Sequence, residues 1–189
     1  MTDQPMTFIE HLSELRDRMV RAAAAILMGF LVAYGFKDEL FQFVAAPMQE
    51  SLAAAGIYSF RAIEITETIF VYIKLAVVAG IFITLPFTFY QMWSFVAPGL
   101  HDQEKSAIAP LIFFSTLFFV LGAYFAYKVI IPFISDYLAE LTLANASIQM
   151  DVTVKSAFGF SLLMLLAFGL AFELPLLMFF SSLMGIMTA

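Results

Sequence analysis

The residues Glu10-His11-Leu12-Ser13-Glu14-Leu15-Arg16-Asp17-Arg18 carry both signs of charge up to the edge of an apolar stretch that begins after Arg21. A topogenic signal at such an edge needs only cations. The interleaved acids Glu10, Glu14 and Asp17 need another explanation. Glu14 stands four residues before Arg18, and such a pair on one helix face is worth about 0.2–0.5 kcal/mol. A second acid, Glu104 in Gly99-Leu100-His101-Asp102-Gln103-Glu104-Lys105, precedes another apolar stretch. Asp102 suits an N-cap there, and Glu104 in the first turn complements the helix dipole for about 0.3–1 kcal/mol. Two carboxylates on one membrane face, Glu14 and Glu104, could also hold two guanidinium groups, each through a bidentate pair.

Glu173 poses a different problem. It lies in Gly169-Leu170-Ala171-Phe172-Glu173-Leu174-Pro175, inside a long apolar run. A charge at the centre of a membrane helix costs about 2.5–3.5 kcal/mol on insertion scales. One solution is a protonated acid bonded to a carbonyl that Pro175 frees. Another is a polar docking point for a partner helix, or part of an ion path. A proton path needs a relay, and the only other charge in these runs is Lys74. Docking is the favoured role.

Other chemistry is poorly supplied. His11 and His101 are isolated, and no cluster with zinc spacing occurs, so no metal is expected. There is no cysteine, which excludes disulfides and thiolate sites. No phosphate-binding loop, nucleophile elbow or HExxH motif is present. Ser115 and Thr116 suit bonds back to their own helix or helix packing. The expectation is a protein that is not an enzyme and takes no cofactor. The formal charge of −6 argues against nucleic acid as a partner.

The elements that must position these residues are helical and membrane-bound. Apolar residues make up 62% of the chain and charged residues 13%, beyond what soluble domains carry. Four apolar stretches stand out. Ala22–Phe36 reaches about 22 Å as helix, short of a hydrocarbon core of ~30 Å, so Arg21 and Lys37 must snorkel. Thr68–Phe89 contains Lys74 and is closed by Pro86. Ala107–Tyr127 has Pro110 in its first turn. Ser156–Met187 would reach about 48 Å, so it tilts, breaks or runs past the bilayer, with Pro175 a kink site. The expected spans are residues 20–37, 68–89, 107–129 and 156–187, in a single membrane domain over 1–189. Two long connectors, 38–67 and 128–155, alternate with short ones and so share one side. Asp38–Met48 has helical spacing and reads as an interfacial helix that Pro47 ends or bends. Phe133–Leu141 reads as an amphipathic helix, followed by alternating Ile148, Met150, Val152 and Val154. The run Phe87–Phe95 reads as an interfacial aromatic belt. The fold class is therefore an all-α integral membrane protein, with four transmembrane helices and interfacial helices in two long outer loops. No cleavable signal peptide is expected. Three arginines close before the first span place the N-terminus in the cytoplasm.

The combination of motifs resembles a known family. His11-Leu12-x-Glu14-Leu15-Arg16-x-Arg18 precedes the first span, and Ala46-Pro47 sits in the outer loop. Tyr90-Gln91-x-Trp93-x-Phe95-x-Ala97-Pro98-Gly99-Leu100 leads to Glu104, and Phe168-Gly169-x-x-Phe172-Glu173-x-Pro175 lies in the fourth span. In this order they resemble the TatC family, the multi-spanning subunit of the twin-arginine protein translocase, from about residue 8 to 187. The resemblance implies a receptor that binds the paired arginines of signal peptides on folded cargo at the cytoplasmic face of a bacterial-type inner membrane. It implies TatA- and TatB-like single-span partners, further copies of the chain in a complex, and transport driven by the proton-motive force. Carried over by motif, Glu14 and Glu104 would contact the signal-peptide arginines, with Arg16 and Phe95 shaping that site. Pro47 would fix the outer loop, and Glu173 would meet polar groups of a partner helix. The family has six spans, whereas this sequence stops just after the fourth, so a C-terminal truncation is expected. The competing expectation is a secondary transporter or proton-conducting protein using Glu173.

Overall fold

The computed structural model describes residues 8–53, 56, 59–96, 108–144 and 151–183. Helices dominate them: α1 (Phe8–Tyr34), α2 (Lys37–Ala53), α3 (Glu67–Val96), α4 (Ile108–Phe125), α5 (Ile131–Ala144) and α6 (Val154–Leu183). Three helical segments are long and apolar enough to cross a bilayer: Glu67–Val96, the continuous Ile108–Ala144, and Val154–Ser182. A fourth crossing comes only from taking Ile9–Tyr34 and Lys37–Ala53 together, and these two are bent by 87°. Large apolar side chains such as Phe70, Phe113, Leu163 and Phe179 are exposed on the outside. A bilayer supplies the solvent such a surface needs.

The bend between α1 and α2 is made at Gly35 and Phe36, whose N–H groups donate to Val32 and Ala33 carbonyls at 3.1 and 3.0 Å. Asp38 and Glu39 fall in the first turn of α2, where acids complement the dipole. Pro47 does not end this helix, which runs on to Ala53. A helical proline leaves the carbonyl four residues back without its donor. Here that carbonyl belongs to Phe43, and the Tyr127 hydroxyl donates to it at 2.7 Å. The tertiary contact replaces the lost helix bond.

Pro86 likewise does not close α3, which runs on to Val96. The connector expected over 90–106 is therefore helical as far as Val96. The second outer loop is also more helical than expected. α4 continues through a π turn, Ala126–Ile130, straight into α5, so the amphipathic segment 133–141 prolongs a spanning helix. The π turn has a local cause. Pro132 cannot donate to the Lys128 carbonyl, and just before it the Ile131 N–H reaches back five residues to Ala126.

α1 and α3 run antiparallel and pack most closely at Gly29 and Gly80. A Cβ on Gly80 would stand 2.6 Å from the Phe30 nitrogen, and one on Gly29 would stand 2.7 Å from the Gly80 oxygen. Gly122 on α4 plays the same part against the Phe168 backbone of α6. Small residues at such crossings let membrane helices approach to backbone contact.

The two long connectors meet, as their shared side requires. Arg61 and Thr153 form an isolated parallel bridge, with the Arg61 N–H donating to Val152 O and the Val154 N–H to Arg61 O, both at 3.0 Å. Arg61 also pairs with Asp151 at 3.2 Å. Thr153 then caps α6, its hydroxyl accepting the Ser156 N–H at 3.1 Å. Glu67, just outside the apolar part of α3, is 4% exposed. Its carboxylate accepts N–H groups from Ile63 and Glu64 at 2.9 and 3.4 Å, and from Lys155 at the start of α6. These donors, Lys155 first and then Ile63, hold its carboxyl below the usual carboxylate range.

Candidate functional site

The end of the molecule opposite α2 carries the residues with chemistry. α1 brings its charged first half there, and α3 arrives antiparallel. His11 and Phe95 stack at 4.3 Å between ring centroids. Glu14 and Arg18 face each other one helical turn apart. Arg18 donates from Nε and Nη2 to the same oxygen, Glu14 Oε1, at 2.8 and 2.6 Å. Both side chains are about four-fifths buried, with 21% and 20% of their surface exposed. The local pair anticipated from the i, i+4 spacing therefore exists. It uses only one carboxylate oxygen. Glu14 Oε2 is buried and has no hydrogen-bond partner among the described residues.

Arg16 points elsewhere. Its side chain is 73% exposed and pairs with Asp17 at 2.8 Å. Glu104, with His101 and Asp102, lies outside the described residues. The structure thus brings Glu14 and Phe95 to one end and leaves Arg16 at the outer rim of α1.

Two further residues belong to this region. Gly80, Thr84, Thr88, Gln91 and Phe95 descend one face of α3 at spacings of three and four. α1 covers that face: Gly29 abuts Gly80 and Thr84, and His11 covers Phe95. In this antiparallel register Thr88 and Gln91 fall opposite the Glu14–Arg18 turn. Thr88 Oγ1 and Gln91 Oε1 are buried without hydrogen-bond partners among the described residues. Together with Glu14 Oε2 they leave three polar atoms unpaired on one helix–helix seam. Along the sequence both fall in the run that reads as an aromatic belt, with Gln91 in a family motif, and neither stands out as a site residue. Their spacing to Thr84 was the available signal.

Glu173 sits in the interior at 4% exposure, and neither carboxylate oxygen has a hydrogen-bond partner among the described residues. Its neighbours on α4 are the Ser115 side chain and the Phe119 backbone. Ser115 is fully buried and accepts the Trp93 indole N–H at 3.1 Å. Trp93 in turn meets Phe180 edge-on at 4.9 Å. α3, α4 and α6 thus surround one polar point in an apolar interior. α6 is helical on both sides of Pro175. Buried polar atoms left bare cost about 1–3 kcal/mol each, more if charged. No group of three or more possible metal ligands occurs among the described residues.

A helical membrane body with an ion-paired acid near one end and, among the described residues, a buried acid without a hydrogen-bond partner in its interior defines a polytopic membrane protein. Comparison with known proteins gives the family. The sequence pattern of the Sec-independent protein translocase protein TatC matches residues 10–189. A relative of that name from Desulforapulum autotrophicum is 36% identical over 98% of this chain and 67% of its own length. Another, from Halothiobacillus neapolitanus, is 35% identical over 96% of this chain and 48% of its own. The chain thus spans two thirds to about half the length of these relatives. Two crystal structures of the twin-arginine translocase receptor TatC, one of them in DDM, superpose with TM-scores of 0.84. They are 32% and 34% identical, each over 95% of this chain, and are covered to 78% and 77%. The chain belongs to the TatC family. It is an all-α, multi-pass membrane protein of bacterial type.

Proposed function

We propose that this chain is the receptor core of a twin-arginine translocase, binding signal-peptide arginines at the end formed by α1 and the last turns of α3. The observation that carries the reading is the half-used carboxylate of Glu14. Arg18 occupies Oε1, and Oε2 is left for another donor on the same α1–α3 seam as the unpaired Thr88 and Gln91 oxygens. A guanidinium supplies five N–H donors and can reach several acceptors at once. Glu104 supplies a second carboxylate for the second arginine, Phe95 shapes the floor, and Arg16 lines the outer rim. This end faces the cytoplasm, in an inner membrane crossed four times by the residues present. The role is binding, with no bond chemistry.

Glu173 is the docking point for a polar group on a TatA- or TatB-type single-span helix. Two bare carboxylate oxygens beside Ser115 support that role. Pro47 holds the outer loop through the carbonyl it leaves free, and further copies of the chain complete the complex.

The test places a photocrosslinker at position 95 and offers a twin-arginine peptide or its twin-lysine counterpart. Crosslinking confined to the arginine form and lost in Glu14→Lys supports the proposal. Equal yields from the two peptides, or an unchanged yield in the variant, overturn it.

A further inference from the structure

At the opposite end of the same helices lies a cavity of about 490 Å³ that the binding site does not use. Its floor is made by Leu75, Ala123 and Leu165, all buried, and α2 closes its top with Leu40 and Val44. Phe36, Phe43 and Tyr124 stand at its rim with exposed rings, so it opens sideways into the bilayer. All its side chains are apolar apart from two tyrosines. One of these, Tyr127, already spends its hydroxyl on Phe43 O.

The shape selects the occupant. The lining on α3 runs from Leu75 to Ile83, a rise of about 12 Å at 1.5 Å per residue. This length is close to the ~15 Å hydrocarbon depth of one leaflet. An apolar slot of that length, open sideways to the bilayer, suits an extended acyl chain.

Charge supplies the second argument. Lys128 follows Tyr127 at the α2 end of the slot, with its ammonium 5.4 Å from the Tyr127 ring centroid. No carboxylate pairs with it among the described residues, whereas Lys37 across the bend is taken by Asp38 at 3.0 Å. Glu50 on α2 lies within electrostatic reach of Tyr127, so the anchor is one ammonium and not a basic patch. A cation at the headgroup level above an apolar slot within the hydrocarbon matches a phospholipid: phosphate outside, chain inside.

We propose that this slot is a phospholipid site in the leaflet on the α2 side, with an acyl chain between α1, α3, α4 and α6 and the phosphate on Lys128. Burial of each methylene contributes enough to make the chain resident rather than passing. The lipid then acts as a filler that holds α2 against the bundle.

The test reconstitutes the full chain in nanodiscs containing phosphatidylglycerol with a photoactivatable group in its acyl chain. Adducts are expected on residues 75–83 and 120–127. Ala79→Phe fills the slot and is expected to lower that yield about tenfold, the effect of excluding two methylenes. Lys128→Gln, a surface change that leaves the fold intact, is expected to lower phospholipid retained after detergent washing about fivefold. Adducts spread evenly over other lipid-facing residues such as Phe113 and Phe179 overturn the proposal. So does an unchanged yield in both variants. A disulfide between two copies carrying Ile83→Cys, formed in place of lipid adducts, assigns the slot to a second copy and also overturns it.

Discussion

The Tyr127 hydroxyl donates to the Phe43 carbonyl, the one that Pro47 leaves without a helical partner. The two rings also stack, 4.7 Å apart and 7° from parallel. One proline in α2 is thereby coupled to one tyrosine 80 residues later, in the π turn that joins α4 to α5. Tyr127→Phe keeps the stack and removes the donor, at an expected cost of about 1 kcal/mol. Restoring the helical N–H with Pro47→Ala gives the carbonyl a donor again. In that background Tyr127→Phe should cost much less. Thermal unfolding of the four proteins in detergent checks the coupling, and strictly additive losses would count against it.

The α1–α3 crossing depends on missing side chains. Gly80→Ala must push the Phe30 backbone away, since its Cβ would lie 2.6 Å from that nitrogen. The expected loss is about 1–3 kcal/mol, typical of overpacking. Gly159→Ala provides the control, because a Cβ there meets nothing within 4 Å. The same unfolding assay should show Gly159→Ala unchanged or slightly raised, as alanine is the better helix former.

Glu67 predicts an acid limb in the stability profile. Its folded carboxyl titrates below the unfolded one, whose ordinary value is 4.5. It therefore contributes stability above pH 4.5, and that contribution fades as the pH falls through the folded value. Glu67→Gln should lower the melting temperature at neutral pH and flatten its fall between neutral and acid conditions. Parallel pH curves for the two proteins would remove the carboxylate from this role.

Trp93 is the one tryptophan in the sequence, so its fluorescence reports on the interior around Glu173. Ser115→Ala removes the acceptor of its indole N–H. The emission should shift to the blue, with a stability loss of about 1–3 kcal/mol for the donor left bare. Emission identical to that of the parent would mean the indole has another acceptor.

In the α1–α3 seam, Glu14→Gln keeps the shape and removes the charge. Charge-assisted hydrogen bonds contribute about 1.5–3 kcal/mol, so twin-arginine peptide affinity should fall about tenfold to a hundredfold. Titration of labelled peptide against detergent-solubilised protein measures it. Arg18→Gln frees Glu14 Oε1 as well and should not weaken binding comparably. Equal losses in the two variants would make the pair structural.

Much of this architecture is legible along the chain. Apolar stretches of spanning length mark the helices, since a bilayer requires every backbone group to be bonded within its segment. Alternation of long and short connectors places 38–67 and 128–155 on one side, where Arg61 and Thr153 meet. The Glu14–Arg18 pair follows from a separation of four. Helix ends at prolines were misread. A proline removes one local bond, but in membrane helices tertiary partners or a π turn absorb the loss, as at Pro47 and Pro132.

By itself the sequence determined what is local: the helical stretches, the charged entry to α1, the buried acid at 173 and the i, i+4 pair. Tertiary structure decided what depends on register between helices. It left Thr88, Gln91 and Glu14 Oε2 buried without partners among the described residues, brought Ser115 beside Glu173, and put Lys155 on the Glu67 carboxylate. It also left the lipid-facing slot lined by α1, α2, α3, α4 and α6. The physical reason is that helical periodicity names a face but not what covers it. Which residues meet is chosen by backbone approach at Gly29, Gly80 and Gly122, where a side chain would hold the helices apart.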